Sequence, residues 1–259
     1  MALPACNLLK GKTAAITGGT TGIGRAIALA YITQGCNVAV NHLGLPQDEE
    51  HRHSLLDEVK SIQQSGIAAG NILEIPGDVT APETSINLLD IFVANAGVFK
   101  QAEFLQIESS LLDHSVDVNI KGCFYSCQAA ARQMVKQGHG GSIIGISSVS
   151  ALVGGGLQTH YTPTKAAVFS MMQSMAISLG KDRVRCNALM PGTIATQLAD
   201  HDMKNPTKKA ALEARIPLGR IGSPDDMAGP AVFLACEEMS RYVNATGLLA
   251  DGGMFSNLQ

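Results

Sequence analysis

The chain of 259 residues carries a formal net charge of −3, with 46% hydrophobic and 16% charged residues. That length buries a sizeable core and suits one large domain (1–259) better than two small ones. The near-balanced charge, with no basic run or charged tail, argues against nucleic acid or an anionic membrane surface as partner and for a small molecule. The first ten residues lack the basic flank and apolar stretch of a signal peptide, and no later apolar run approaches a membrane span, so a soluble, cytoplasmic protein is expected.

Taken in chain order, short apolar runs rich in Val and Ile at 13–17, 38–41, 72–76, 91–94, 142–146, 184–189 and 248–250 read as strands, separated by longer helix-like segments. Continuous apolar strands bounded by Gly, Asn or Ser and joined by helical crossovers are what a parallel sheet covered on both faces requires. The expected fold is therefore α/β: a single-domain, doubly wound, Rossmann-like parallel sheet of about seven strands with helices on both faces. One stretch does not fit. In the crossover 79–94 only about eight residues, 82–89, are available for a helix, where a parallel crossover normally needs about a dozen residues or more. Either a helix is truncated there or residues are missing.

The six cysteines, Cys6, Cys36, Cys123, Cys127, Cys186 and Cys236, are scattered. They form no C-x-x-C pair and accompany no His cluster at ligand spacing, so buried free thiols are expected and no metal site. Cys123 and Cys127 would share a helix face as small apolar packing residues.

Two local patterns carry chemistry. Thr17-Gly18-Gly19-Thr20-Thr21-Gly22-Ile23-Gly24-Arg25 follows the first strand and opens a helix. Missing side chains at Gly18, Gly22 and Gly24 allow a tight turn, close approach to a pyrophosphate and helix-on-strand packing, while the helix start offers free amides to the anion. Tyr161 and Lys165 stand one helical turn apart, with Ser148 thirteen positions upstream. Moving a tyrosine from its usual pKa of about 10 toward 7 takes about 4 kcal/mol. A lysine on the same face supplies about that much from a distance of about 4 Å at an effective dielectric near 20. The pair reads as a proton-transfer group.

Together with Asp78-Val79, Asn95-Ala96-Gly97, Asn119 and Pro191-Gly192-Thr193-Ile194-x-Thr196, these motifs occur in the order seen in short-chain dehydrogenase/reductases. The resemblance spans nearly the whole chain. It implies that Tyr161 exchanges a proton with the substrate oxygen while hydride moves to or from a nicotinamide, and that Lys165 lowers the pKa of Tyr161 and bonds the nicotinamide ribose. It implies that Ser148 donates to the oxygen where charge develops, and that Asn119 anchors a water leading from Lys165 to solvent. The implied cofactor shell is Gly18, Thr20, Thr21, Gly22, Ile23, Gly24, His42, Asp78, Val79, Asn95, Ala96, Gly97, Tyr161, Lys165, Pro191, Gly192, Ile194 and Thr196. Asp78 would meet the adenine edge, or cap a turn before Pro82; Thr196 would hold the carboxamide. An acidic residue at the end of the second strand would favour NAD(H) by excluding a 2′-phosphate. The residue there is His42, and Arg25 faces away in this family, so the reading leans to NADP(H) with NAD(H) open.

Within the family, the runs 134–148 and 159–165, Ile216-Pro217-Leu218-Gly219-Arg220 and Asp251-Gly252-Gly253 resemble fungal sugar 1-dehydrogenases. Substrate choice would come from 149–160 and a segment at about 195–215, where Gln158, His160 and Gln197 would meet polyol hydroxyls or simply be solvated. The family's usual assembly implies a homo-oligomer, tetramer or dimer, with Ala166, Ala167, Phe169, Met171, Met172 and Met175 suited to the contact. Three functions are weighed: a sugar dehydrogenase, a carbonyl reductase acting on ketones or acyl thioesters, and a nucleotide-binding protein without turnover.

Overall fold

Each of the seven apolar runs forms a strand in the computed structural model, which describes residues 4–80, 88–199 and 203–257. The strands are β1 (Thr13–Thr17), β2 (Asn37–His42), β3 (Ile72–Pro76), β4 (Ile91–Ala94), β5 (Gly141–Ile146), β6 (Val184–Pro191) and β7 (Gly247–Ala250). All pair in parallel in the order β3-β2-β1-β4-β5-β6-β7. The largest difference from the sequence reading is at β6, which continues to Pro191 because β7 still offers partners there, Met190 opposite Leu249 and Pro191 opposite Ala250.

The strands read as unbroken apolar runs because both faces are covered. Ile16, Val40, Val93 and Ile144 point to one side, where they pack on Ile27 and Tyr31 of α1 (Gly22–Thr33) and on Val232 and Leu234 of α7 (Ala228–Ala235). Ala15, Ala39, Phe92 and Ile143 point the other way. They meet Ala130 and Met134 of α4 (Cys123–Gln137) and Val168 and Met172 of α5 (Thr162–Leu179). Met172, expected partly at an oligomer contact, is thus part of the protein's own core, with no exposed surface. The remaining α-helices among the described residues are α2 (Glu49–Gln64), α3 (Ser109–Val116), α6 (Pro206–Ala214) and α8 (Glu237–Ser240).

β1 pairs with β2 on one side and β4 on the other, so connections leave it in opposite directions and open a crevice at its carboxyl end. The helix expected within 82–89 lies outside the described residues, apart from Leu88 and Leu89, which are not helical. On that side of the sheet Ala15, Ala39 and Phe92 are each only 6% exposed. Together with Tyr125 and Ala130 they border a narrow apolar cleft of about 90 Å³ that ends at Asp78 and Val79.

Five cysteines are buried and Cys6 is exposed, all unpaired in disulfides. Among the described residues no helix is long and apolar enough to cross a membrane, and no group of three or more His, Cys, Asp or Glu is placed to hold a metal ion.

Candidate active site

The glycine turn is held by a network centred on the first residue of the motif, to which the motif reading gave no role. Thr17, at the end of β1, is 7% exposed. Its Oγ1 accepts the backbone amides of Asn95 at 2.9 Å and Ala96 at 3.0 Å. Asn95 Nδ2 in turn donates to the carbonyls of Thr17 at 2.9 Å and Gly18 at 3.0 Å. The Asn95 side chain is therefore spent on the turn, and only the backbone of Asn95-Ala96-Gly97 is left to border a ribose. Gly18 and Gly22 have φ of +62° and +52°, where a β-carbon is strained. A methyl on Gly24 would run into the Gly18 carbonyl and the Asn95 amide.

Thr20 is buried, and Thr21, the residue preceding α1, caps it with no side-chain bond; the first turn also holds no acidic residue. The amides of Gly22, Ile23 and Gly24 and the positive end of the helix are left for an anion. This cradle fits the pyrophosphate of a dinucleotide.

At the adenosine end the expectation for His42 is corrected. Its side chain is 3% exposed and Nε2 lies 3.8 Å from Glu74, while Nδ1 accepts the Gly44 amide at 3.0 Å. Accepting at Nδ1 puts the proton of the neutral ring on Nε2, toward Glu74. The imidazole faces into the protein because β2 brings it under α2, whose Arg52 grips Glu74 at 2.7 Å and holds that carboxyl below its usual range. Arg25 is bound to His51 O, Ser54 and Glu58, away from the crevice. Asp78 Oδ1 caps the Thr80 amide at 2.8 Å, the turn-capping alternative. Val79 packs on Gly122, where a β-carbon would sit 2.9 Å from Val79 Cγ2.

Ser148, Tyr161, Lys165 and Asn119 come together at the carboxyl ends of β4 and β5. Ser148 follows β5, its Oγ accepts the Ser150 amide at 3.1 Å, and its hydroxyl is near enough to the Tyr161 phenol to lower its pKa. Lys165 Nζ donates to Ile146 O at 3.0 Å and lies 5.6 Å from the centre of the Tyr161 ring. Gly97 makes this proximity possible: a β-carbon there would stand 3.3 Å from Asn119 Oδ1 and 3.4 Å from Lys165 Nζ.

Burial pushes the Tyr161 hydroxyl well above its usual pKa, with the neighbouring Ser148 hydroxyl pulling it back. Burial also pushes Lys165 down to about 8. Each of the two groups is driven by burial toward its neutral form, and the group that lowers the phenol is the neighbouring Ser148 hydroxyl rather than the expected Lys165.

Asn119 sits in a π-helical turn, Asp117–Gly122, that leads into α4. Its side-chain amide clasps the backbone of one residue, accepting Val98 N at 2.8 Å and donating to Val98 O at 3.0 Å. The side chain is thus committed to the protein's own backbone. Val98 carries Phe99, whose ring lies 4.7 Å from that of Tyr161 and stacks on His160 at 6.4 Å. His160 is 2% exposed with neither ring nitrogen hydrogen-bonded among the described residues, so it is packed as an aromatic and not presented to a polyol. Gln158 stays at the rim, its Oε1 taken by Ser150 Oγ at 3.2 Å.

Beyond β6 the chain folds back over the glycine turn. Pro191 closes the strand and the Gly192 amide donates to Ala250 O at 3.1 Å. Ile194 bridges to Gly222, and Thr196 Cγ2 is 3.3 Å from where a β-carbon on Gly22 would sit. Gln197, expected near substrate hydroxyls, instead meets His51 of α2 at 3.0 Å. The segment therefore straps the mouth of the crevice from the sheet across to α2.

An open parallel sheet with an anion cradle at its switch point, facing a buried serine and lysine and a half-buried tyrosine, defines a dinucleotide-dependent oxidoreductase. The family model described as enoyl-(acyl carrier protein) reductase matches residues 18–255. An L-rhamnose-1-dehydrogenase of Scheffersomyces stipitis is 53% identical, covering 97% of this chain and 99% of that protein. An L-rhamnose 1-dehydrogenase (NAD(P)(+)) of a Sphingomonas species is 45% identical over 97% and 99%. Among solved structures, a 2-deoxy-D-gluconate 3-dehydrogenase assigned putatively in Agrobacterium tumefaciens, with bound NADP, superposes with a TM-score of 0.87 at 29% identity, covering 96% and 98% of the two chains. The chain belongs to the short-chain dehydrogenase/reductase family.

Proposed function

We propose that the protein is an NAD(P)-dependent sugar 1-dehydrogenase that oxidises the anomeric hydroxyl of L-rhamnose or a close aldose. The observation that carries the chemistry is the meeting of Ser148, Tyr161 and Lys165 at the end of β5, with Lys165 Nζ 5.6 Å from the centre of the Tyr161 ring. The sugar is inferred from the 53% identical Scheffersomyces protein. Tyr161 takes the hydroxyl proton, Ser148 donates to the same oxygen as charge develops there, and Lys165 holds positive charge behind the phenol. The first-turn amides of α1 hold the pyrophosphate, and Thr196 meets the carboxamide. The bound nicotinamide supplies the hydride acceptor. Phe99 gives the substrate an apolar wall beside Tyr161, which suits a ring with one hydrophobic face.

Both cofactors are expected to serve, with NADP(H) favoured. His42 is turned inward, and the Glu74 carboxylate is neutralised by Arg52, so no outward acid excludes a 2′-phosphate. We further propose a homo-oligomer formed across α4 and α5, where Phe124, Val135 and Ile177 are 46%, 41% and 83% exposed beside an apolar groove lined by Ala131 and Met175. A monomeric mass in sedimentation at micromolar concentration overturns that assembly.

A steady-state screen of aldoses and ketones with NAD⁺, NADP⁺ and their reduced forms tests the activity. L-Rhamnose oxidation with both cofactors is expected, and Tyr161→Phe lowers kcat by roughly 10²–10⁴-fold with cofactor affinity unchanged. Reduction of ketones or acyl thioesters without aldose oxidation supports the carbonyl-reductase reading instead; cofactor binding without turnover of any compound supports a non-catalytic protein.

A further inference from the structure

We propose that Thr164 is a positioning residue that locks the first turn of α5, and with it Tyr161, onto the π-helical turn carrying Asn119. The proposal rests on the reading of Tyr161 as the proton-transfer group and adds a residue that reading does not include. Thr164 is 1% exposed. Its Oγ1 donates to the Tyr161 carbonyl at 2.7 Å and accepts from Asn119 Nδ2 at 3.1 Å. Among the described residues this is the only side-chain hydrogen bond joining the π-helical turn to α5.

The geometry around it is unusual for a helix start. The Tyr161 carbonyl accepts from three donors: the amides of Thr164 at 2.9 Å and Lys165 at 3.2 Å, and the Thr164 hydroxyl. Pro163, in the first turn, brings no amide, at a position where an amide would have no intrahelical partner. The Thr164 hydroxyl, bonded back to the Tyr161 carbonyl, fixes the backbone of the residue that carries the phenol. On the opposite side Ser147 Oγ donates to the Lys165 carbonyl at 2.8 Å. The turn is thereby clamped from β5 by Ser147 and from the α4 side by Thr164.

The consequence for chemistry follows from what Tyr161 touches. Its proton affinity depends on its burial and on the neighbouring Ser148 hydroxyl, and both depend on how this turn is seated at the end of β5. The titratable groups around the phenol are Lys165 on its own helix, His160 beside it and, beyond Lys165, the Cys123 thiol of α4. None of these bonds Thr164, so changing Thr164 alters the seating of the turn without altering a charge.

Thr164→Val, Thr164→Ser and Tyr161→Phe, measured in parallel at saturating cofactor, test the idea through kcat against pH, cofactor Kd by fluorescence and thermal melting. Thr164→Val is expected to lower kcat about tenfold and move the ionisation limiting its pH profile upward by about one unit, with cofactor Kd within twofold. Thr164→Ser, which keeps the hydroxyl, restores both. A lower Tm with kcat and pH profile unchanged overturns the proposal, as does a loss of kcat that Thr164→Ser does not restore. If Thr164→Val does not fold, Thr164→Ala, which leaves room for water, is read by the same criteria. Full turnover by Tyr161→Phe defeats the reading of the site together with this proposal. An inactive Tyr161→Phe beside an unshifted Thr164→Val defeats the positioning role alone.

Discussion

Thr17→Val keeps the shape of a buried side chain while deleting the oxygen on which the glycine turn hangs. That oxygen accepts two backbone amides, from Asn95 at 2.9 Å and Ala96 at 3.0 Å, and its own proton faces Val93 O at 3.5 Å. An orphaned buried amide costs about 1–3 kcal/mol. Both amides are only part-buried, which places the pair at about 2–4 kcal/mol, and the added methyl returns about 1 kcal/mol of burial. The net loss of about 1–3 kcal/mol corresponds to a Tm lower by about 3–10 °C for a domain of this size. Because Asn95 also holds the Thr17 and Gly18 carbonyls, the loosened turn presents the amides of α1 less well, and cofactor Kd rises about tenfold, or about 1.4 kcal/mol. Thermal and urea melts with fluorescence titration of NADPH measure both effects, and Thr17→Ser, which keeps the oxygen, recovers most of each. A Thr17→Val protein within 0.5 kcal/mol, about the size of an inconsequential substitution, and with the parent Kd would refute the claim that this network shapes the turn.

Three further outcomes follow from the same geometry. Gly24→Ala drives a methyl into the Gly18 carbonyl and Asn95 amide, so cofactor binding should fall by more than 10²-fold, about 2.7 kcal/mol; titration at unchanged fold, verified by circular dichroism, checks it. Lys165 is lowered by burial to about 8 from 10.5. The unfolded chain therefore binds more protons between those values and the penalty, at most about 3 kcal/mol, is full below pH 8 and relieved as pH rises toward 10.5. Lys165→Met should accordingly show its greatest relative stability below pH 8 and lose that advantage by pH 10.5, as read from paired melts; a constant difference across the range contradicts it. Gln197→Ala breaks the 3.0 Å contact to His51 and should quicken cofactor dissociation several-fold in stopped flow, with His51→Ala giving the same change and the double variant no more. Additive effects would show that the two side chains do not act as one strap.

How much of this was legible in the sequence differs by element. The strands were, because a strand buried on both faces must be apolar throughout, and only the ends, such as Met190 and Pro191 of β6, wait on whether a neighbour supplies partners. The glycines of the turn were also legible, since positive φ and close approach exclude side chains whatever surrounds them.

The side chains whose meaning depends on a distant partner were not. Thr17 and Asn95 stand 78 residues apart and only the pairing of β1 with β4 joins them. His42 sits at the position that selects the cofactor, yet packing under α2 beside Glu74 turns its imidazole inward. Gln197 and His51, 146 residues apart, become neighbours only when the chain after β6 folds back over the crevice.

The sequence by itself determined the sheet, the anion cradle and the spacing of Ser148, Tyr161 and Lys165, because those follow from local periodicity and backbone sterics. Only the tertiary structure decided the protonation balance of that trio and the service of Asn119 and Thr164 to it. Burial and hydrogen-bond partners are properties of a packed assembly, and no residue carries them alone.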